Sequence, residues 1–269
     1  MRRGFLERTL SSLVAASEYA VSAEKMSSFG GVLQPVDPRV KVAGILGLIV
    51  SVAASRRLSL IVLLLAASIV LAILSGIRLS RLLGWIWLPV LFFTGPMALP
   101  AVFLTPGKAV FVWNGLQITL QGLRAAFFLL SRAETAATLS AILILTTPWP
   151  SVLKALQTFR CPVVLVTLLG MTYRYIFVIL RNALDMFESR KSRAVGYFEP
   201  GERRRIAVST VGVLLSKSLQ LSGEVHLAML SRGFRGETYV LQDFRWRAAD
   251  VWWSAAFAAA CVAALWFGR

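Results

Sequence analysis

The sequence contains stretches without a charged residue that are long enough, or nearly long enough, to cross a lipid bilayer. The run 82–104 has 23 uncharged residues, and the runs 58–74 and 251–267 have 17 each. A membrane-spanning helix needs about 20 predominantly apolar residues. The chain is 57% hydrophobic and 16% charged, whereas soluble domains are about 45–50% apolar and about 25% charged. Because backbone groups in lipid must be hydrogen-bonded within the protein, these runs predict an all-α membrane protein.

About five helices are predicted to cross the membrane. A fourth uncharged run has only 13 residues, but basic residues flank it and can snorkel to the interface. Three prolines in the longest run predict a kinked or re-entrant helix. Tryptophans lie at or near the predicted helix ends, as is typical of membrane interfaces. The predicted spans are 42–54, 58–74, 82–104, 116–145 and 251–267.

The distribution of basic residues predicts an N-terminus on the cytoplasmic side of the membrane. With five crossings, the short segments on the same side as the N-terminus hold eight Lys and Arg residues, and the opposite side holds four. Short cytoplasmic loops carry the excess of Lys and Arg in membrane proteins. Before the first span, residues 9–22 have the spacing of a surface amphipathic helix.

The region 148–247 is predicted to lie in the cytoplasm and to consist mainly of helices. It is too polar to be buried in lipid throughout and too apolar to be a linker. Helix start and stop signals predict a short helix at 148–160, a helix of about 30 residues from Val163, and a second long helix at 205–232. The chain therefore divides into an N-terminal part with four spans, a region of cytoplasmic helices and a last span, at 1–147, 148–247 and 248–269.

Both long helices are predicted to end with a serine and an arginine followed by a small residue. The two sequences are Ser192-Arg193-Ala194 and Ser231-Arg232-Gly233. An arginine in the last turn complements the helix dipole, and a glycine after it is a common helix stop. Each motif alone is explained by capping. The duplication favours a second role, because the rigid guanidinium fork could bind two equivalent acceptor sites on protein partners.

These features resemble the transmembrane T component of energy-coupling factor (ECF) transporters, in particular the CbiQ-type protein of cobalt and nickel uptake systems. The resemblance covers most of the chain from about Val36. It rests on Val36-Asp37-Pro38-Arg39-Val40-Lys41, Thr146-Thr147-Pro148, Ser192-Arg193-Ala194 and residues 224–236, which contain Ser231-Arg232-Gly233. In the family the two motifs are Ala-Arg-Gly or close variants at the ends of two coupling helices. Here both motifs begin with Ser, and the first ends in Ala.

The resemblance implies a coupling subunit that binds no substrate and catalyses no reaction. Its two arginine motifs would each dock one cytoplasmic ATPase subunit. The chain would link these ATPases to a small substrate-binding membrane subunit, the S component, which would be CbiM-like in a cobalt system. No catalytic residue, cofactor or metal site is expected in this chain. The transported substrate, whether cobalt, nickel or a vitamin, would be selected by another subunit.

A stand-alone secondary transporter is the main alternative. Arg124, Arg132 and Glu134 lie within the fourth predicted span, and ionisable residues inside a span are candidates for a transport role. Arg132 and Glu134 are two positions apart and point about 200° apart on a helix, so a direct ion pair is not expected. An inert membrane scaffold would leave the duplicated arginine ends unexplained.

Several other functions are not predicted. The pair Gly107-Lys108 is followed by Ala109 and has Val102 five positions earlier, so it does not form a phosphate-binding loop. One histidine and two cysteines are too few for a metal cluster or a disulfide framework. The net charge of +16 accompanies long uncharged runs, unlike the clustered basic face of a nucleic-acid-binding domain.

Overall fold

The structure is a computed structural model that describes residues 31–105, 109–113, 116–193, 200–235 and 248–268. The predicted amphipathic helix at 9–22 and Ala194 of the first arginine motif lie outside the described residues.

The described residues form an all-α membrane protein with one small β-hairpin. The helices are α1 (Pro38–Ala54), α2 (Leu58–Leu74), α3 (Leu79–Leu82), α4 (Leu88–Leu104), α5 (Leu120–Thr146), α6 (Trp149–Thr158), α7 (Val163–Arg193), α8 (Pro200–Ser231) and α9 (Ala248–Gly268). A π-helical turn, Leu83–Trp87, joins α3 to α4. Strands β1 (Ala109–Trp113) and β2 (Leu116–Thr119) pair antiparallel between α4 and α5. The predicted fold class is confirmed.

The β-hairpin was not predicted, and it shortens the fourth predicted span at its start. The segment is rich in β-branched and aromatic residues, which favour strands. The Thr119 hydroxyl accepts a hydrogen bond from the backbone N–H of Gly122 at 3.1 Å. Thr119 is therefore the N-cap that starts α5 at Leu120, four residues after the predicted start of the span.

Five described helices are long and apolar enough to cross a membrane. They are Leu83–Phe103, Leu120–Thr146, Val163–Arg190, Arg204–Ser231 and Ala248–Gly268. The number agrees with the prediction, but the set differs, because α7 and α8 were predicted to be cytoplasmic. Helices α1 and α2 have 17 residues each and are therefore about 25 Å long. This length is slightly less than the thickness of the hydrocarbon core, about 30 Å.

Contacts between Cα atoms divide the described chain into two units. The first contains residues 31–155 and 248–268. In it, α5 packs against α1, α2 and α4, and α9 packs against α1. The buried apolar core includes Ile45, Leu48, Ile142 and Phe257. A Cβ atom at Gly44 would overlap the Phe257 ring, so a residue without a side chain allows α1 and α9 to approach closely.

The second unit contains the described residues of 156–235 and consists mainly of α7 and α8. Lys217 Nζ donates to Asn182 Oδ1 at 3.0 Å, and Arg190 Nη2 donates to Ser209 Oγ at 3.3 Å. The residue numbers rise along one helix as they fall along the other, so α7 and α8 are antiparallel. The second long helix begins five residues before its predicted start at 205. Pro200 begins α8, because proline is favoured in the first helical turn.

Candidate coupling site

The C-terminal end of α8 is capped by its own backbone. The N–H of Gly233 donates to the Leu230 carbonyl at 2.9 Å, and the N–H of Phe234 donates to the Met229 carbonyl at 3.0 Å. Gly233 has φ +80°. This pattern is a Schellman motif, which needs a residue that tolerates positive φ but needs no arginine side chain. The Arg232 side chain is exposed, and the hydrogen bonds of the cap do not involve its guanidinium group.

The first motif has a similar local arrangement at the end of α7. Arg193 is the last residue of α7 and is exposed. The serine before each arginine bonds within its own helix. Ser192 Oγ donates to the Ser189 carbonyl at 2.9 Å, and Ser231 Oγ donates to the Ala228 carbonyl at 3.0 Å. In both motifs the serine hydroxyl is thus engaged locally, which leaves the guanidinium as the group best placed to meet a partner.

The antiparallel arrangement places the two arginines at opposite ends of the helix pair. Arg193 ends α7 on the side where α8 begins, and Arg232 directly follows the end of α8. Helix α8 has 32 residues, so the two arginines are separated by roughly 45 Å along its axis. They are not brought together into one site. They lie at two separate exposed ends of one antiparallel helix pair.

Between these ends, α7 and α8 enclose an open apolar groove. Its volume is about 540 Å³, and its walls are the first half of α7 and the second half of α8. The lining includes Leu168, Met171, Ile176, Leu221 and Val225. Many other apolar side chains of the pair are exposed, among them Val208, Val211, Leu219 and Leu227. Monomeric soluble proteins rarely expose apolar surface on this scale, so these faces are suited to lipid or to a protein partner.

The three ionisable residues of α5 lie in different environments. Arg124 is exposed, Arg132 is partly buried, and Glu134 is 7% exposed. Neither carboxylate oxygen of Glu134 has a hydrogen-bond partner among the described residues. The nearby Thr138 hydroxyl donates to the Glu134 main-chain carbonyl at 2.7 Å and accepts from Trp87 Nε1 at 3.0 Å. Among the described residues, therefore, no hydrogen-bonded relay of side chains reaches this carboxyl group.

A buried cluster of charged residues lies at one end of the first unit and was not predicted as a site. Asp37, Lys41 and Asp250 are all at most 6% exposed. Lys41 Nζ donates to the Thr146 carbonyl at 3.2 Å, and Asp250 Oδ1 accepts from the Asp37 N–H at 2.8 Å. The sequence signal was present in Asp37 and Lys41, which are opposite charges four positions apart on one helix face. No residue close to Asp250 in the sequence indicated that it would join this cluster.

Metal-ligating residues are not clustered in the part of the chain that the structure describes. It contains no group of three or more His, Cys, Asp or Glu side chains arranged to hold an ion. The histidine, His226, lines the apolar groove, and Cys161 and Cys261 are free thiols.

Comparison with known proteins gives a consistent family assignment. The family model CbiQ, described as cobalt transport protein, matches residues 30–240. An uncharacterized protein of Methanocaldococcus jannaschii is 31% identical over 242 residues, which are 88% of this chain and 83% of that protein. The cobalt transport protein CbiQ of Rhodobacter capsulatus is 28% identical over 157 residues, which are 57% of this chain and 64% of that protein. This multi-pass membrane protein therefore belongs to the CbiQ cobalt transport protein family, the T-component family that its sequence motifs resemble.

Proposed function

We propose that this chain is the transmembrane coupling subunit of an ECF-type importer. It transmits the ATP-driven movement of two cytoplasmic ATPase subunits to a separate substrate-binding membrane subunit, the S component. It binds no substrate itself and catalyses no reaction. The observation that carries the proposal is the pair of exposed arginines, Arg193 and Arg232, at opposite ends of one antiparallel helix pair.

In the proposed mechanism each arginine end docks one ATPase subunit. The guanidinium groups of Arg193 and Arg232 enter acceptor sites, while Ser192, Ala194, Ser231 and Gly233 shape the two ends. When the ATPases close on ATP, they move the two docked ends. Because α7 and α8 are long, rigid helices, this movement becomes a displacement of whole helices against the S component. The uncovered apolar faces of α7 and α8 support such a contact, because they need a lipid or protein surface to cover them.

The transported substrate is proposed to be a cobalt or nickel ion. The family description and the name of the Rhodobacter capsulatus relative support cobalt. The ion would be held by the S component, CbiM-like in that case. We propose that the complex lies in the cell inner membrane, with the N-terminus and the region 148–247 in the cytoplasm. The functional division of the chain is then 1–147, 148–247 and 248–269.

Affinity purification in mild detergent tests the proposal directly. We expect the tagged chain to copurify with ATPase subunits and a small hydrophobic protein. The reconstituted complex should take up Co²⁺ or Ni²⁺ only when ATP is supplied on the ATPase side. A chain that purifies alone and transports after reconstitution without ATP would contradict the coupling role.

A secondary transporter is the second candidate, and one observation favours it. Glu134 is a buried carboxyl group without a hydrogen-bond partner among the described residues, and such groups inside spans are often functional. In that case Arg124, Arg132 and Glu134 would carry protons or substrate, and uptake would follow an ion gradient. Dependence of uptake on ATP, and not on a proton gradient, separates the two functions.

A further inference from the structure

The buried charged cluster connects three elements that are far apart in the sequence. Asp37 and Lys41 lie at the start of α1, Thr146 is the last residue of α5, and Asp250 lies in the first turn of α9. Asp37 also accepts a hydrogen bond from the Arg39 N–H at 2.8 Å and so caps α1. Lys41 is 1% exposed and interacts electrostatically with both carboxylates.

The positions of these residues coincide with the two ends of the coupling-helix region, residues 148–247. That region begins directly after Thr146 and Thr147, and its first helix, α6, lies in the first unit up to residue 155. Helix α9 follows the region and begins two residues before Asp250. Lys41 therefore holds the carbonyl at the end of α5. Asp37, through its backbone N–H, holds the carboxylate at the start of α9. One short segment of α1 binds both chain connections of the region that carries Arg193 and Arg232.

Stability alone is a weak explanation for such a cluster. Removing charged groups from water costs free energy, and well-packed apolar residues in place of a buried ion pair are often equally stable or more stable. Buried hydrogen-bonded charges do impose a defined arrangement, because each charge must keep its partners. The cluster thus fixes where the two connections sit relative to α1.

We propose that Asp37, Lys41 and Asp250 form an anchor that holds both ends of the coupling-helix region to α1, so that movement of the region reaches the membrane helices. This inference rests on the proposed function. ATP-driven movement enters at the arginine ends and can reach α5 and α9 along the chain only past Thr146 and Asp250. If these two points could separate, local displacement would absorb the movement. Lys41 is thus a positioning residue for transport.

The test measures the ratio of Co²⁺ uptake to ATP hydrolysis in the purified, reconstituted complex. Lys41→Met removes the ammonium donor, and Asp250→Asn keeps the shape and an oxygen acceptor but removes the charge. We expect both variants to copurify with the ATPases and to hydrolyse ATP at near the wild-type rate. Their uptake per ATP should fall about tenfold, within the usual range of coupling between distant sites. Lys41→Arg, which keeps the positive donor, should recover part of the loss.

Ser68→Ala is the matched control. Ser68 is 2% exposed, and its hydroxyl donates to the Leu65 carbonyl of its own helix α2 at 2.8 Å, so this variant should couple normally. Normal uptake per ATP in both Lys41→Met and Asp250→Asn would overturn the anchor. Failure of both variants to assemble with the ATPases would also overturn it, because the cluster would then serve folding alone. If the wild-type chain purifies without ATPase subunits, the coupling function itself is wrong. The anchor, which rests on that function, is then wrong as well.

Discussion

At the scale of single residues, Arg193 and Arg232 have two alternative roles. Each side chain either stabilises the end of its own helix or binds a protein partner. At the end of α8 the carbonyls are satisfied by the backbone N–H groups of Gly233 and Phe234. The Arg232 guanidinium can then contribute to helix stability only through the dipole, which is worth about 0.3–1 kcal/mol. A buried charge at an interface is worth more, about 2–5 kcal/mol when it is removed. The free energy lost when the arginine is removed therefore differs measurably between the two roles.

Substitution of the arginines is the first prediction. Arg193→Ala and Arg232→Ala should weaken ATPase association or uncouple hydrolysis from uptake, by about tenfold or more. Lys should rescue only partly, because an ammonium lacks the planar fork. The double substitution should be worse than either alone, since one docked end still holds the ATPases nearby. Pull-down of the ATPases and uptake assays measure these effects.

The control for this prediction is Arg174→Ala, an exposed arginine on α7 outside both motifs. It should leave assembly and uptake unchanged. If the double variant Arg193→Ala/Arg232→Ala assembles and transports like the wild type, capping is the whole role of the two arginines.

Glu134 provides the second prediction at this scale. Its carboxyl oxygens are buried and have no hydrogen-bond partner among the described residues, so Glu134→Gln removes no hydrogen bond and keeps the shape of the side chain. We expect normal assembly and ATP-driven uptake within about twofold of the wild type, because a change at an unpaired buried group need not destabilise the protein. A proton relay cannot run through an amide. Loss of uptake in a normally assembled Glu134→Gln complex would therefore revive the secondary-transporter function.

At the scale of helices, the sequence predicted boundaries well where local chemistry sets them. Helix α6 was predicted at 148–160 and is observed at Trp149–Thr158, and α7 begins at Val163 as expected. Both boundaries depend on prolines and caps, which act within a few residues. The hairpin β1–β2 was missed because 105–115 was interpreted as a loop and 116–145 as a span, although Asn114-Gly115 between residues that favour strands is a strong hairpin signal. The start of α8 was predicted at 205, five residues too late, although proline is favoured in the first helical turn and Pro200 is the first residue of the helix.

The contact between α1 and α9 gives a prediction at the same scale. Gly44 faces Phe257, and a Cβ atom at this position would overlap the ring. Gly44→Ala should force the two helices apart and destabilise the first unit by about 1–3 kcal/mol, the usual cost of overpacking. Gly95→Ala is the control, because nothing lies within 4 Å of a Cβ built there. Thermal denaturation of the detergent-solubilised protein should show a lower midpoint for Gly44→Ala alone. Equal midpoints for the two variants would contradict this packing.

At the scale of the whole molecule, long-range contacts limit what sequence reasoning can reach. The two arginine motifs were found because each is local and the pattern is repeated. Their placement at opposite ends of one helix pair needed the antiparallel contacts of α7 and α8. The charged cluster was missed because Asp37 and Asp250 are 213 residues apart, and Lys41 and Thr146 are 105 apart. No periodicity in a single sequence connects such positions.

Membrane topology is the last prediction, since α7 and α8 are long and apolar enough to cross a bilayer. Lys217 lies near the middle of α8, and a charged residue at the centre of a bilayer costs about 2.5–3.5 kcal/mol on insertion scales. We therefore expect both helices to stay on the cytoplasmic side. In a chain with Cys161 and Cys261 replaced by Ser, a cysteine placed at Glu199 should not react with an impermeant thiol reagent in intact cells, whereas one in the segment 105–115 between α4 and β2 should. If α7 crossed and α8 crossed back, the segment at Glu199 would face outward. Labelling at Glu199 would then overturn both the orientation and the cytoplasmic position of the arginine ends.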